Sequence, residues 1–117
     1  MKKADQKIIN EIKETLKDAY NPLRLFLFGS RANSTATKDS DYDFVMVVPN
    51  PKKSTLHEMS KARSLVFNKH LVSADVFIYS EKEFDEWKDE FSSIPETALN
   101  TGIEIPLTKN PRKRIQG

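Results

Sequence analysis

Apolar residues recur along this chain at two periods, and the changes between them mark out its elements. Ile8, Ile9, Ile12, Leu16 and Ala19 fall at helical spacing through residues 4–20. Glu11, Lys13, Glu14, Lys17 and Asp18 lie on the opposite face, which reads as solvated. Asn21-Pro22 closes this helix, because proline cannot continue it. Residues 23–28 are apolar except for Arg24, the pattern of a strand covered on both faces. Residues 42–48 form a second apolar run that stops at Pro49-Asn50-Pro51. A second helix is expected over residues 54–69, with Leu56, Met59, Ala62, Val66 and Phe67 along one side and Met59 and Phe67 read as core packing. The third strand spans residues 72–79. Serine at position 80 with glutamate three later is a capping box, opening a third helix that carries Phe84, Trp87 and Phe91 at i, i+3 and i+7. Residues 94–100 read as a short helix with Gly102 as its C-cap, and residues 103–107 as a short edge strand. The order predicts an α/β (α+β) fold, a small mixed sheet backed by helices. One domain occupies residues 1–107, and residues 108–117 form a basic polar tail.

A chain of 117 residues is large enough for one real core. Its 19 basic and 17 acidic residues leave a net charge of +2, so direct nucleic-acid binding by the whole molecule is not expected. Cysteine is absent, which excludes disulfides, thiolate metal sites and a cysteine nucleophile. The start, Met1-Lys2-Lys3-Ala4-Asp5-Gln6-Lys7, lacks the apolar core of a signal peptide. No apolar run approaches the roughly 20 residues needed to span a bilayer. A cytoplasmic protein without a membrane partner is expected.

The chemistry gathers where the apolar runs break. Gly29-Ser30 ends the first strand run, and after ten residues, Arg31 to Ser40, comes Asp41-Tyr42-Asp43. Side chains at i and i+2 of a strand share a face, so Asp41 and Asp43 converge while Tyr42 points into packing. Two such charges about 4 Å apart repel by roughly 4 kcal/mol at an effective dielectric near 20, a cost that a divalent cation removes. Asp75 stands in a third run that is otherwise Val72, Ala74, Val76, Phe77, Ile78 and Tyr79. Aspartate is a poor strand former, and a buried one needs a partner. Three carboxylates can hold two Mg²⁺ ions, and paired metals about 3.5–4 Å apart clamp both oxygens of a phosphoryl displacement. Magnesium takes oxygen ligands, typically a small carboxylate set plus substrate phosphates. The Gly29 turn exposes backbone N–H groups, and Ser30 adds a hydroxyl toward phosphate oxygens.

The run Phe28-Gly29-Ser30-Arg31-Ala32, followed by Asp39-Ser40-Asp41-Tyr42-Asp43, resembles the DNA polymerase β-like nucleotidyltransferase superfamily. The resemblance covers residues 23–79. In size the chain is similar to the minimal nucleotidyltransferases, which often act as antitoxins beside HEPN-domain toxins. The resemblance implies that Ser30 contacts a nucleoside triphosphate, that Asp41 and Asp43 bind Mg²⁺, and that Asp75 is a third acid that deprotonates or orients the acceptor hydroxyl. It implies in-line attack on the α-phosphate, with ATP as the default substrate and pyrophosphate released. In the antitoxin branch a tyrosine of the partner HEPN toxin is AMPylated. The chain departs from the pattern at Asn33-Ser34-Thr35, where many relatives carry a glycine. Larger relatives have a second domain that binds the acceptor; nothing after residue 107 could form one, so a partner protein is expected to supply that surface.

Arg31 is a candidate to neutralise the triphosphate, with a surface ion pair as the alternative, and Lys38 is a weaker one. His57 and His70 lack metal-ligand spacing and read as surface or helix-end residues. Trp87 reads as core or interface, and Arg112-Lys113-Arg114 as a solvated basic terminus. A non-catalytic module that neutralises its partner by occlusion is the alternative to an enzyme; a metal-dependent nuclease is a third reading, opposed by the Gly-Ser turn.

Overall fold

The computed structural model describes residues 3–49 and 55–108. The Asn50-Pro51 break, the expected helix start at Ser54 and the basic Arg112-Lys113-Arg114 lie outside them. Eight elements follow in the order α1 Lys3–Tyr20, β1 Arg24–Phe28, β2 Tyr42–Val48, α2 Thr55–His70, β3 Ala74–Ser80, α3 Glu81–Trp87, α4 Ile94–Thr101 and β4 Ile103–Glu104. The strands form one open sheet in the order β3-β2-β1-β4. β1 runs antiparallel to β2 and to β4. β2 and β3 are parallel, as a connection through a helix such as α2 allows. This is the mixed α+β sheet backed by helices that the order of elements predicts.

Alternation along the strands divides the core in two. Leu25, Leu27, Tyr42, Phe44, Met46, Ala74, Val76 and Ile78 face α1 and α2, where Ile9, Ile12, Leu16, Ala62 and Val66 close on them. Phe26, Val45 and Val47 face the other way and are covered by Phe84 of α3 and Ala98 of α4. The Phe26 and Phe84 rings stack there at 5.5 Å. β1 is therefore covered on both faces, which its unbroken apolar run requires. Thr15 of α1 and His70 at the end of α2 lock the first helical layer, Thr15 Oγ1 lying 2.7 Å from His70 Nε2.

Several apolar positions lie elsewhere than their spacing predicts. The Ser80–Glu83 capping box is present, but α3 ends at Trp87 and Phe91 is 89% exposed beyond it. Trp87 and Phe67 are each about half exposed, so neither is a core residue. Leu56 is exposed as well. Lys13, expected in solvent, is buried and meets Glu14 at 3.4 Å; a lysine stem packs as a hydrocarbon while its amine finds a charge. Gly102 does follow α4, with φ −93° rather than a left-handed angle. Its glycine is required by space, since a Cβ there would lie 2.5 Å from the Ala98 carbonyl oxygen and 2.6 Å from that of Leu27.

Candidate active site

The second core layer runs out at one end of the sheet. Phe28 and Phe77 meet there at 5.9 Å between ring centroids, and beside them the same face turns acidic. Asp43 is the register partner of Phe28 across the antiparallel pair and of Asp75 across the parallel pair. Parity places Asp43 with Val45 and Val47, and Asp75 with Phe77 and Tyr79, all on the α3–α4 face. Asp41 immediately precedes β2. Tyr42, between the two acids, points into the opposite core layer, as the alternation requires.

Asp75 and Asp41 both act on Asp43. The carboxyl of Asp43 is held above its ordinary range by burial first, then by the charge of Asp75, then by that of Asp41. An uncompensated carboxylate group of this kind fits a divalent cation, which offsets both the desolvation and the repulsion. Two carboxylates completed by phosphate oxygens and water suffice for Mg²⁺, and Asp41 and Asp43 fit that description. Asp75, whose charge reaches Asp43, has a second partner. Its Oδ1 accepts from Arg63 Nη1 of α2, and among the described residues no three His, Asp or Glu side chains close round a common point. Sequence reasoning passed over Arg63. Its spacing on α2 is that of any helix-surface arginine, and only the tertiary placement of α2 beside β3 brings it to an acid.

Gly29 sits against the Asp43 carboxylate. Its φ is +78°, and a Cβ would fall 2.6 Å from Asp43 Oδ2. Glycine is thus required twice, by the backbone angle and by the carboxylate. The chain then winds into a tight turn: the Gly29 carbonyl accepts from the Ala32 and Asn33 N–H groups, and the Ser30 carbonyl from Thr35. The bonds of this turn begin at the Ala32 N–H, so the Ser30 and Arg31 N–H groups precede its first bond. Within Asn33-Ser34-Thr35 it is Ser34 that takes a left-handed angle, with φ +66°. Asn33 stabilises that bend by accepting from both the N–H and the hydroxyl of Thr35, at 3.2 and 2.6 Å. A left-handed L-residue costs roughly 1–2 kcal/mol, partly offset by the backbone entropy that glycine would lose. Ser34→Gly is therefore expected to raise stability by up to about 1 kcal/mol, read as a higher Tm at unchanged transfer rate.

Arg31 faces away from the acids, into a support. Its side chain is only 10% exposed and lies over the Tyr42 ring at 4.3 Å. Nη2 donates to the Ser40 carbonyl at 2.8 Å, and Nη1 meets Asp5 Oδ1 at 3.4 Å. Tyr42 donates its hydroxyl to the same Asp5 oxygen at 3.0 Å. The first turn of α1 thereby braces both ends of the connection between Gly29 and Asp41. Arg31 Nε is left as a buried donor without a partner, the only such side-chain atom among the described residues. Lys38 is exposed in that connection, and His57 on α2 is exposed too.

Comparisons with known proteins bear on the family and the fold. No curated protein is significantly similar to the chain. Among solved structures, a Sulfolobus solfataricus protein bearing the provisional name nucleotidyltransferase is 26% identical. The match covers 71% of this chain and 73% of that one, with a TM-score of 0.50. The family model for the nucleotidyltransferase domain matches residues 9–113. With nearly the whole chain matched, and with an acidic sheet end beside a glycine turn, the protein belongs to the nucleotidyltransferase domain family.

Proposed function

We propose that the protein transfers a nucleoside monophosphate, AMP from ATP, to a hydroxyl on a partner protein, and that this silences a HEPN-domain toxin whose tyrosine is the acceptor. One observation carries the catalytic reading: the raised carboxyl of Asp43, with Asp41 and Asp75 acting on it and Gly29 packed against it. A carboxylate destabilised in this way has a use where a cation and a polyphosphate come together. Asp41 and Asp43 would hold Mg²⁺, with Asp75 able to add a ligand for a second ion. The cation, when bound, neutralises the triphosphate and polarises its α-phosphorus.

The chain's own residues do the rest. Ser30 donates to a phosphate oxygen from the turn after β1. Asp75 orients the acceptor hydroxyl and takes its proton. The acceptor oxygen then bonds to the α-phosphorus as the bridge to the β-phosphate breaks, and pyrophosphate leaves. Arg31 supports this arrangement by fixing the connection that carries Asp41. No helix among the described residues is long and apolar enough to cross a membrane, which is compatible with action in the cytoplasm, where ATP is available.

The alternative is a binding module that neutralises its partner by occlusion. The Arg63–Asp75 pair favours it to the extent that one acid is already engaged. Intact masses of the protein and of whatever co-purifies with it, before and after Mg-ATP, separate the two. A partner gaining one or more adenylyl groups, and gaining none with Asp41→Asn/Asp43→Asn, establishes a protein-modifying transferase. A stable complex with no change in mass favours occlusion.

A further inference from the structure

The acid centre lies on one face of the sheet, and a cation reaches it from the other. Arg63 stands on α2, whose neighbouring Ala62 and Val66 pack into the α1–α2 core. Asp75 belongs to the opposite face by strand parity. The two meet because β3 is an edge strand, so the arginine stem can pass round its open side. Nη1 donates to Asp75 Oδ1, and Nη2 donates to Ser73 Oγ at 3.0 Å. Positions 73 and 75 are two apart on one extended segment, so a single planar guanidinium spans both.

The consequence is a mismatch between backbone and side chain. Asp43 and Asp75 are direct register partners, a backbone placement suited to sharing an ion. Yet no three acidic or histidine side chains close round one point among the described residues, and the Asp75 carboxylate lies with Arg63. Both members of the pair are more than a third exposed, 48% and 38%. Such pairs are weak, as a contact that must open requires.

We propose that Arg63 is an internal counter-ion that holds Asp75 off the metal. The resting centre then takes its divalent cation on Asp41 and Asp43 alone, and Asp75 becomes available only when Arg63 is displaced. This rests on the metal-dependent reading of the site. The arriving triphosphate, or an acidic side chain of the acceptor protein, offers the guanidinium an alternative anion.

Mn²⁺ binding without nucleotide, followed by the electron paramagnetic resonance of the free ion, tests the proposal in the wild type, Arg63→Met, Asp75→Asn and the double variant. Arg63→Met is expected to bind Mn²⁺ on the order of tenfold more tightly, because a further carboxylate joins the site. Asp75→Asn and the double variant are expected to bind like the wild type. An unchanged affinity in Arg63→Met overturns the latch. A gain that persists in the double variant also overturns it, since loss of a positive charge would then act through space without Asp75. Saturable binding that Asp41→Asn/Asp43→Asn abolishes shows that the metal reading survives such a failure; no saturable binding in any of the proteins overturns that reading and the latch with it. Arg63→Gln, which keeps an amide able to bond Ser73, repeats the comparison should the methionine variant fold poorly.

Discussion

Asp43→Asn is expected to lower nucleotidyl transfer by about a thousandfold or more, a loss of at least about 4 kcal/mol of transition-state stabilisation, while making the folded protein more stable. The two effects share a cause. The native fold holds the Asp43 carboxyl above its ordinary range through burial and the charges of Asp75 and Asp41, so ionisation at neutral pH opposes folding. Asparagine keeps the shape and removes the charge. For a raised acid the native state binds more protons than the unfolded one across the interval between the two titration points. Its stabilising protonation is complete below the unfolded value near 3.9 and is lost as pH rises through the native value. The variant's advantage in Tm should therefore be present at pH 7 and vanish as pH falls below about 4. Thermal melts across that range, beside the transfer of labelled nucleotide to an acceptor, check both halves. Normal transfer by Asp41→Asn/Asp43→Asn would show the metal assignment to be wrong. A lower Tm at pH 7 in Asp43→Asn would show that the carboxylate is already compensated.

Gly29→Ala is expected to separate stability from activity in a different way. The left-handed angle alone costs an L-residue roughly 1–2 kcal/mol, and the loss of folding free energy should be of that size. The new methyl would also sit 2.6 Å from Asp43 Oδ2. That oxygen is the free end of a short side chain and can rotate away, so the collision adds little to the stability cost. The rotation nevertheless moves the carboxylate that the site needs. A misplacement of about 1 Å in a reacting constellation can cost on the order of a hundredfold, and transfer is expected to fall by about that much. Denaturant unfolding and transfer rate, measured on the same preparation, test the argument. Full activity at reduced stability would mean that Asp43 does not need the position that glycine leaves for it.

These two residues, like most of the site, are legible in the chain alone. A glycine at the end of an apolar run and a D-x-D at the start of the next are local signals. Strand parity turns them into a shared face without knowledge of the neighbouring strands. Asp75 was visible as an acid in a run that otherwise packs. The boundaries of α1, β1 and β2 followed from helical spacing, unbroken apolar runs and the prolines that end them, to within a residue or two, because those preferences act over only a few positions. Phe91 and Phe67 were misplaced for the converse reason. Helical spacing says which residues share a side, and only the neighbouring elements decide whether that side is covered.

Neighbours along the chain were enough for most of the elements, the two-sided burial of β1, and the identity of the acids and of the glycine beside them. The tertiary structure alone decided what each charge meets. It brought Asp75 into register with Asp43 through the parallel pairing of β2 and β3, and turned Arg31 onto Asp5, Ser40 and Tyr42. It also left β3 at an open edge, round which Arg63 reaches Asp75. Local preference is set by neighbours in the chain, whereas a charge answers to whatever lies within a few ångströms. Asp5 and Arg31 are 26 residues apart, and Arg63 and Asp75 are 12 apart on different elements, so those encounters had no signature along the chain.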